Sequence, residues 1–213
     1  MKIQAKSKLL FIGDSITDVG RARPVGERAK GGLGTGYVNL VDAMIGSKYP
    51  DRHIRTMNVG TSGNTVRDLR SRWQTDVIDL KPDWLSIMIG INDVWRQFDR
   101  PDQTDNPVLL DEYRSVLDAL IVQTSPSLKG LILMTPYFIQ PLKTDAMRSK
   151  MDEYGAAVKS LADSRGAIFV DVQAAFDSHL AHCHPTALAW DQVHPDTLGH
   201  MIIARAFLNA INF

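Results

Sequence analysis

Five short apolar runs recur along this chain, and stretches of helical periodicity lie between them. The runs cover residues 8–12, 54–59, 84–89, 131–135 and 168–172. Several are continuously apolar rather than alternating, as strands buried on both faces are. Between and after them the spacing changes. Leu110, Tyr113, Val116, Leu117, Leu120 and Ile121 recur at helical intervals, as do Met151, Tyr154, Val158 and Leu161. A closing amphipathic helix is predicted behind Pro195 and Asp196, with Leu198, Met201, Ile202 and Phe207 along it. Strands alternating with helices imply right-handed crossovers and a mostly parallel sheet covered on both faces. The predicted class is α/β, in one domain spanning 1–213, with neither repeats nor low-complexity tracts.

Composition removes some function classes. Lys+Arg and Asp+Glu balance at 24 each, so the basic excess of a nucleic-acid binder is missing. No apolar run approaches the ~20 residues that span a bilayer. The first fifteen residues hold only a very short apolar segment that runs straight into polar residues. They read as a first strand rather than a signal peptide. Cys183 is the one cysteine and has no partner in the chain for a disulfide. These features together predict a cytoplasmic protein that binds neither nucleic acid nor membrane.

In such a sheet the ligand site gathers at the carboxyl ends of the strands. Three strands here end in polar clusters: GDSITD from Gly13, NVGTSGNT from Asn58 and GIND from Gly90. A serine after a strand often only caps the next helix. However, DQVH places Asp191 and His194 three residues apart just before the last helix. A serine nucleophile needs a base that takes its proton and returns one to the leaving group. That base in turn needs an acid group to hold its tautomer. Attack on an ester also builds charge on the former carbonyl oxygen, and each donor aimed there is worth about 10²–10³ in rate. Gly63 offers an unshielded N–H, and Asn92 offers a side-chain amide. Each also has a plain reading as a turn former.

Taken in chain order, these four blocks resemble the SGNH hydrolases, also called GDSL-type esterases. GDSITD, NVGTSGNTVRDL, GIND and DQVH match the family's Ser, Gly, Asn and His blocks. The resemblance implies a three-layer α/β/α sandwich on a five-stranded parallel sheet, flavodoxin-like in order. It further implies Ser15 as nucleophile, His194 as base and Asp191 as its orienter. The implied oxyanion donors are Ser15 N–H, Gly63 N–H and Asn92, with no cofactor and no metal. Segments 13–24, 34–38, 62–69, 82–97 and 187–195 are similar to a branch of that family, the bacterial intracellular acetylxylan esterases. This implies an acetylated xylo-oligosaccharide or another small acetyl ester as substrate, and an assembly of identical subunits.

Other residues near these blocks have two readings each. Trp95, Arg96 and Trp190 are candidates for a sugar or acyl pocket, against core packing for the tryptophans and a surface ion pair for Arg96. Asp14 is a candidate pocket residue or a brace of the nucleophile loop, and Asp93 a brace of the Asn92 loop. The Gly- and Arg-rich stretch 20–38 lacks the endings of a phosphate-binding loop. It is predicted to be a long loop and a subunit contact, as is 100–107. His179, His182, Cys183 and His184 suit zinc by residue type, but no carboxylate completes a ligand set. Their stretch, 178–186, is also where the sequence departs from the resemblance. His200 is predicted to be a packing or surface residue.

Overall fold

The computed structural model describes residues 1–99 and 107–213. The predicted 100–107 loop therefore lies outside the described residues except at Pro107. The strands are β1 (Lys8–Gly13), β2 (Gly26–Glu27), β3 (Arg55–Asn58), β4 (Trp84–Met88), β5 (Gly130–Met134) and β6 (Ile168–Val170). The helices are α1 (Ser15–Asp18), α2 (Tyr37–Lys48), α3 (Val66–Trp73), α4 (Ile91–Asp99), α5 (Leu110–Thr124), α6 (Ala146–Arg165), α7 (Val172–Leu180) and α8 (Thr197–Ala210).

One sheet runs in the order β2-β3-β1-β4-β5-β6. Its last five strands are mutually parallel. This five-stranded parallel core agrees with the sequence expectation. The sixth strand, β2, pairs antiparallel with β3 through Gly26↔Asn58 and Glu27↔Met57. It comes from within 20–38, so that stretch is not loop throughout. A two-residue strand carries no periodicity; only its pairing defines it, with the Arg55–Glu27 ion pair (2.6 Å) alongside.

The continuous apolar runs are buried as two-faced strands should be. Five of the six residues of β1 and all five of β4 are buried. Helices α2, α7 and α8 pack together in one layer, and α3, α5 and α6 in the other. Phe11 of β1 meets Tyr37 of α2 and Phe207 of α8, with centroids at 5.8 and 5.1 Å. Aspartates start the later helices: Asp145, Asp171 and Asp196 each accept an N–H from the first turn. The Asp171 cap is why the fifth run ends as strand at Val170 and continues as helix. Along α8 the buried stripe runs through His200, Ile203 and Phe207, which leaves Leu198 53% exposed instead of packed.

The chain leaves β1, forms β3 on one side of it, and returns to form β4 on the other. The crevice at such a reversal, outside the carboxyl ends of β1 and β4, is where open α/β sheets hold ligands. Among the described residues, no helix is long and apolar enough to cross a membrane.

Candidate active site

Gly13 ends β1 in a pinch. A Cβ there would lie 2.3 Å from the Met88 carbonyl oxygen and 2.5 Å from Thr17 Oγ1, so the close approach of β4 and α1 requires glycine. Asp14 caps α1 by accepting the Ile16 N–H at 2.9 Å. Ser15 is the first residue of that four-residue helix and the half-exposed one among buried neighbours. The cap reading of this motif therefore belongs to Asp14, and Ser15 is left with its hydroxyl free for other work.

That hydroxyl lies 2.9 Å from His194 Nε2. His194 Nδ1 lies 2.6 Å from Asp191 Oδ2. Asp191 Oδ1 accepts the backbone N–H groups of Val193 (3.0 Å) and His194 (2.8 Å). The turn closes with Gln192 in the left-handed region, at φ +63°. Ile139 N–H donates to Gln192 O at 2.9 Å, which ties this turn to the segment after β5. An ionised Asp191 accepts only, so Nδ1 carries the proton and Nε2 accepts from Ser15 Oγ. Burial pushes the Asp191 carboxyl up, but the His194 ring and the two backbone donors outweigh it and hold it below the usual range.

Two neighbouring loops supply donors. Gly63 stands at φ +81° in the loop after β3, where a side chain would strain the backbone. Asn92 is buried in the first turn of α4. Its Nδ2 donates to Asn64 O at 2.9 Å, and its Oδ1 accepts from Arg96 at 3.2 Å. Both ends of that amide are thereby oriented, with one N–H still unused among the described residues. The N–H groups of Ser15 and Gly63 have no hydrogen-bond partner among the described residues.

Beneath these loops lie two carboxyl groups almost without water. Burial pushes Asp14 up to about 7, against the pull of the Ile16 N–H. Burial also pushes Asp93 up to about 7, and the nearby Asp14 adds to it. Asp93 Oδ1 accepts the Val66 N–H at 2.9 Å, while Oδ2 is buried with no partner among the described residues. Asp93 thus ties the start of α4 to the start of α3, as a brace would. Asp14 is 1% exposed and braces the turn from below, so it is not an open pocket wall.

The other predicted residues are placed as follows. Trp95 is partly buried, its ring 5.9 Å from that of His194. Arg96 stacks on Trp95 at 4.8 Å and forms an ion pair with Asp99, as its surface reading had it. Trp190 is 81% exposed beside Asp191, so core packing does not apply to it. His200 is buried and accepts the Tyr37 N–H at 3.3 Å, joining α8 to α2. His179 Nδ1 is held by Ala175 O at 3.0 Å, and His184 Nδ1 by Thr186 Oγ1 at 2.8 Å. Among the described residues, no group of three or more His, Cys, Asp or Glu is set to hold a metal ion.

Sequence reasoning passed over Arg72 and Asn64, which join these loops from behind. One sign was available. Arg72 borders the inward stripe of α3, which runs through Val66, Leu69 and Trp73.

Residues 11–202 match the model of the GDSL-like lipase/acylhydrolase family. Over 213 residues the chain is 57% identical to an acetylxylan esterase from Geobacillus stearothermophilus, covering 100% of this chain and 97% of that one. A crystal structure of an acetylxylan esterase from that organism superposes with a TM-score of 0.99 at 57% identity, covering 100% and 97%. Solved catalytic mutants of that enzyme carry S15A, D191A and H194A, and the same residue types stand at those numbers here. An alpha/beta hydrolase enzyme from the metagenome of Lake Arreo, Spain, superposes with a TM-score of 0.97 at 52% identity, covering 100% and 98%.

Proposed function

The chain belongs to the GDSL-like lipase/acylhydrolase family, and we propose that it is a carboxylic ester hydrolase that removes acetyl groups from acetylated xylo-oligosaccharides. The hydrogen-bonded line from Ser15 Oγ through His194 to Asp191, at 2.9 and 2.6 Å, carries this reading. The full-length identity to an acetylxylan esterase supports the choice of acyl group and sugar.

In this reading Ser15 Oγ attacks the acetyl carbonyl carbon while His194 Nε2 takes the hydroxyl proton. The carbonyl oxygen becomes an oxyanion, met by the N–H groups of Ser15 and Gly63 and the free amide N–H of Asn92. Asp191 stabilises the imidazolium and holds its tautomer. His194 then protonates the departing sugar oxygen, leaving the acetyl group on Ser15. A water molecule enters, gives its proton to His194 and attacks the acetyl carbon. Acetate leaves as His194 returns the proton to Ser15. No step calls on a metal or cofactor. Trp95 and Arg96 form one wall of the sugar pocket and Trp190 the other.

The proposal extends to the setting. The enzyme is cytoplasmic and works on imported fragments rather than polymer, and its lone Cys183 suits a reducing compartment. It works as a homo-oligomer, with the Gly- and Arg-rich stretch 20–38 as a candidate subunit contact.

The test is acetate release from acetylated xylo-oligosaccharides, acetylated pectin fragments and p-nitrophenyl acetate, with Ser15→Ala as control. Preference for the xylan fragments, lost in the variant, is the expected result. Preference for pectin fragments or another ester would leave a serine esterase with a different substrate. Undiminished turnover by Ser15→Ala would overturn the mechanism.

A further inference from the structure

The loops bearing the proposed nucleophile and oxyanion donors meet at one side chain that touches neither substrate nor triad. Arg72 lies in the last turn of α3 with its side chain 16% exposed. Its Nη2 donates to Gly13 O at 3.0 Å, two residues before Ser15. Its Nη1 donates to Val59 O at 2.7 Å, at the end of β3. Its Nε donates to Asn64 Oδ1 at 2.6 Å, next to Gly63. Asn64 in turn accepts the Asn92 amide through its backbone oxygen at 2.9 Å. Asp76, one turn further on, balances the charge at 2.5 Å.

We infer that Arg72 is a positioning residue: its planar guanidinium sets the spacing between the Ser15 turn and the Gly63 and Asn92 donors. The inference rests on the esterase reading above. The physical grounds are those of a rigid fork. A guanidinium offers its donors in one plane at fixed angles, so three acceptors bound to it cannot drift independently. Two of those acceptors are main-chain oxygens, so the hold is on the backbone rather than on side chains. The second donor on Gly13 O is the Thr61 N–H at 3.0 Å, so both lone pairs of that oxygen are used. Without Arg72, Gly13 O keeps one donor, and the Asn64 side chain loses the donor on its oxygen. The three loops would then be linked through fewer and softer contacts. A misplacement near 1 Å remote from the chemistry can cost about 10²-fold in rate. A lysine does not replace the fork, because one ammonium cannot reach all three acceptors with their fixed directions.

The experiment compares Arg72→Ala, Arg72→Lys and Asn64→Ala with the wild type for p-nitrophenyl acetate hydrolysis, with thermal melting of each. The expected result is a fall in kcat of about 10²-fold for Arg72→Ala, with KM changed less than about threefold. Arg72→Lys should stay within about threefold of Arg72→Ala, although its charge is kept. Added guanidinium should raise kcat of Arg72→Ala, and ammonium at equal ionic strength should not, a response that a purely structural role would lack. Kcat of Arg72→Ala or Arg72→Lys within about threefold of wild type would overturn the inference. If Arg72→Ala does not fold, Asn64→Ala decides. A tenfold or larger loss of kcat at native melting temperature supports the inference, and wild-type kcat overturns it. Failure of the esterase reading itself would look different, because the wild type would then release no nitrophenolate.

Discussion

Asp191 accepts three hydrogen bonds, and replacing it by asparagine separates its backbone role from its charge. In Asp191→Asn the side-chain oxygen can keep the N–H groups of Val193 and His194, now at 3.0 and 2.8 Å. The amide NH2 then faces His194 Nδ1, the atom now 2.6 Å from Oδ2. Two donors cannot face each other, so Nδ1 must give up its proton and Nε2 must carry it. Nε2 then points a hydrogen at Ser15 Oγ, 2.9 Å away, and cannot take the serine proton. The flipped amide would restore the tautomer but set its NH2 against two backbone donors. That leaves unpaired groups at about 1–3 kcal/mol each, so the unproductive arrangement wins. The imidazolium formed in turnover also loses its counter-charge. In the worked serine-protease triad the same change lowers kcat about 10⁴-fold, close to 5 kcal/mol of barrier. A loss of that order is expected here, with the melting temperature near that of wild type. Asp191→Ala should lose activity and melt lower, since it also abandons the two backbone N–H groups. Initial rates on p-nitrophenyl acetate and on acetylated xylo-oligosaccharides, beside thermal melts, read both quantities. Asp191→Asn within about tenfold of wild type would refute the tautomer argument.

Other consequences follow from the same geometry. Asn92→Ala removes one oxyanion donor, and kcat should fall about 10²–10³-fold with little change in KM; a loss below about fivefold would remove Asn92 from the oxyanion site. Asp93 has its pKa raised by burial to about 7 in the folded chain. A raised carboxyl supports the fold fully below its unfolded pKa, and that support is lost as pH rises through about 7. Asp93→Asn keeps an acceptor for the Val66 N–H but does not titrate. Relative to wild type it should therefore gain melting temperature as pH rises from about 4 to about 7, and a difference independent of pH would contradict the burial argument. A fluorophosphonate should label the wild type at Ser15 and leave Ser15→Ala unlabelled; equal labelling of both would assign the reactive hydroxyl elsewhere.

The fold was legible where one physical rule acted alone. Short apolar runs of five or six residues, set between stretches of helical periodicity, fit strands by their length, and all five appear within two residues of their expected ends. β2 was not legible, because Gly26 and Glu27 become a strand only by meeting Asn58 and Met57, which lie about thirty residues away in sequence. Leu198 was misjudged because the stripe of α8 is set by what α2 and β1 present to it, and His200 takes the inward place. In the candidate site, the meeting of Ser15, His194 and Asp191 was readable because the proposed chemistry restricts residue type. Arg72 was not, because the two acceptors that fix the backbone are carbonyl oxygens of residues 13 and 59, and no residue type marks a carbonyl. Asp14 and Trp190 illustrate the same limit. Both adjoin residues of the proposed triad in sequence, yet one is 1% exposed and the other 81%, and burial depends on the assembled fold.

The most direct test of the central claim is to look for the acetyl-enzyme. Wild type and Asp191→Asn would be mixed with acetylated xylo-oligosaccharide, quenched in acid within the first turnovers, digested and weighed by peptide mass spectrometry. One acetyl group on the peptide carrying Ser15, absent without substrate and absent from Ser15→Ala, is the expected result. Acetate released by the wild type with no acetyl on that peptide under any quench time, or acetyl found on another residue, would contradict it.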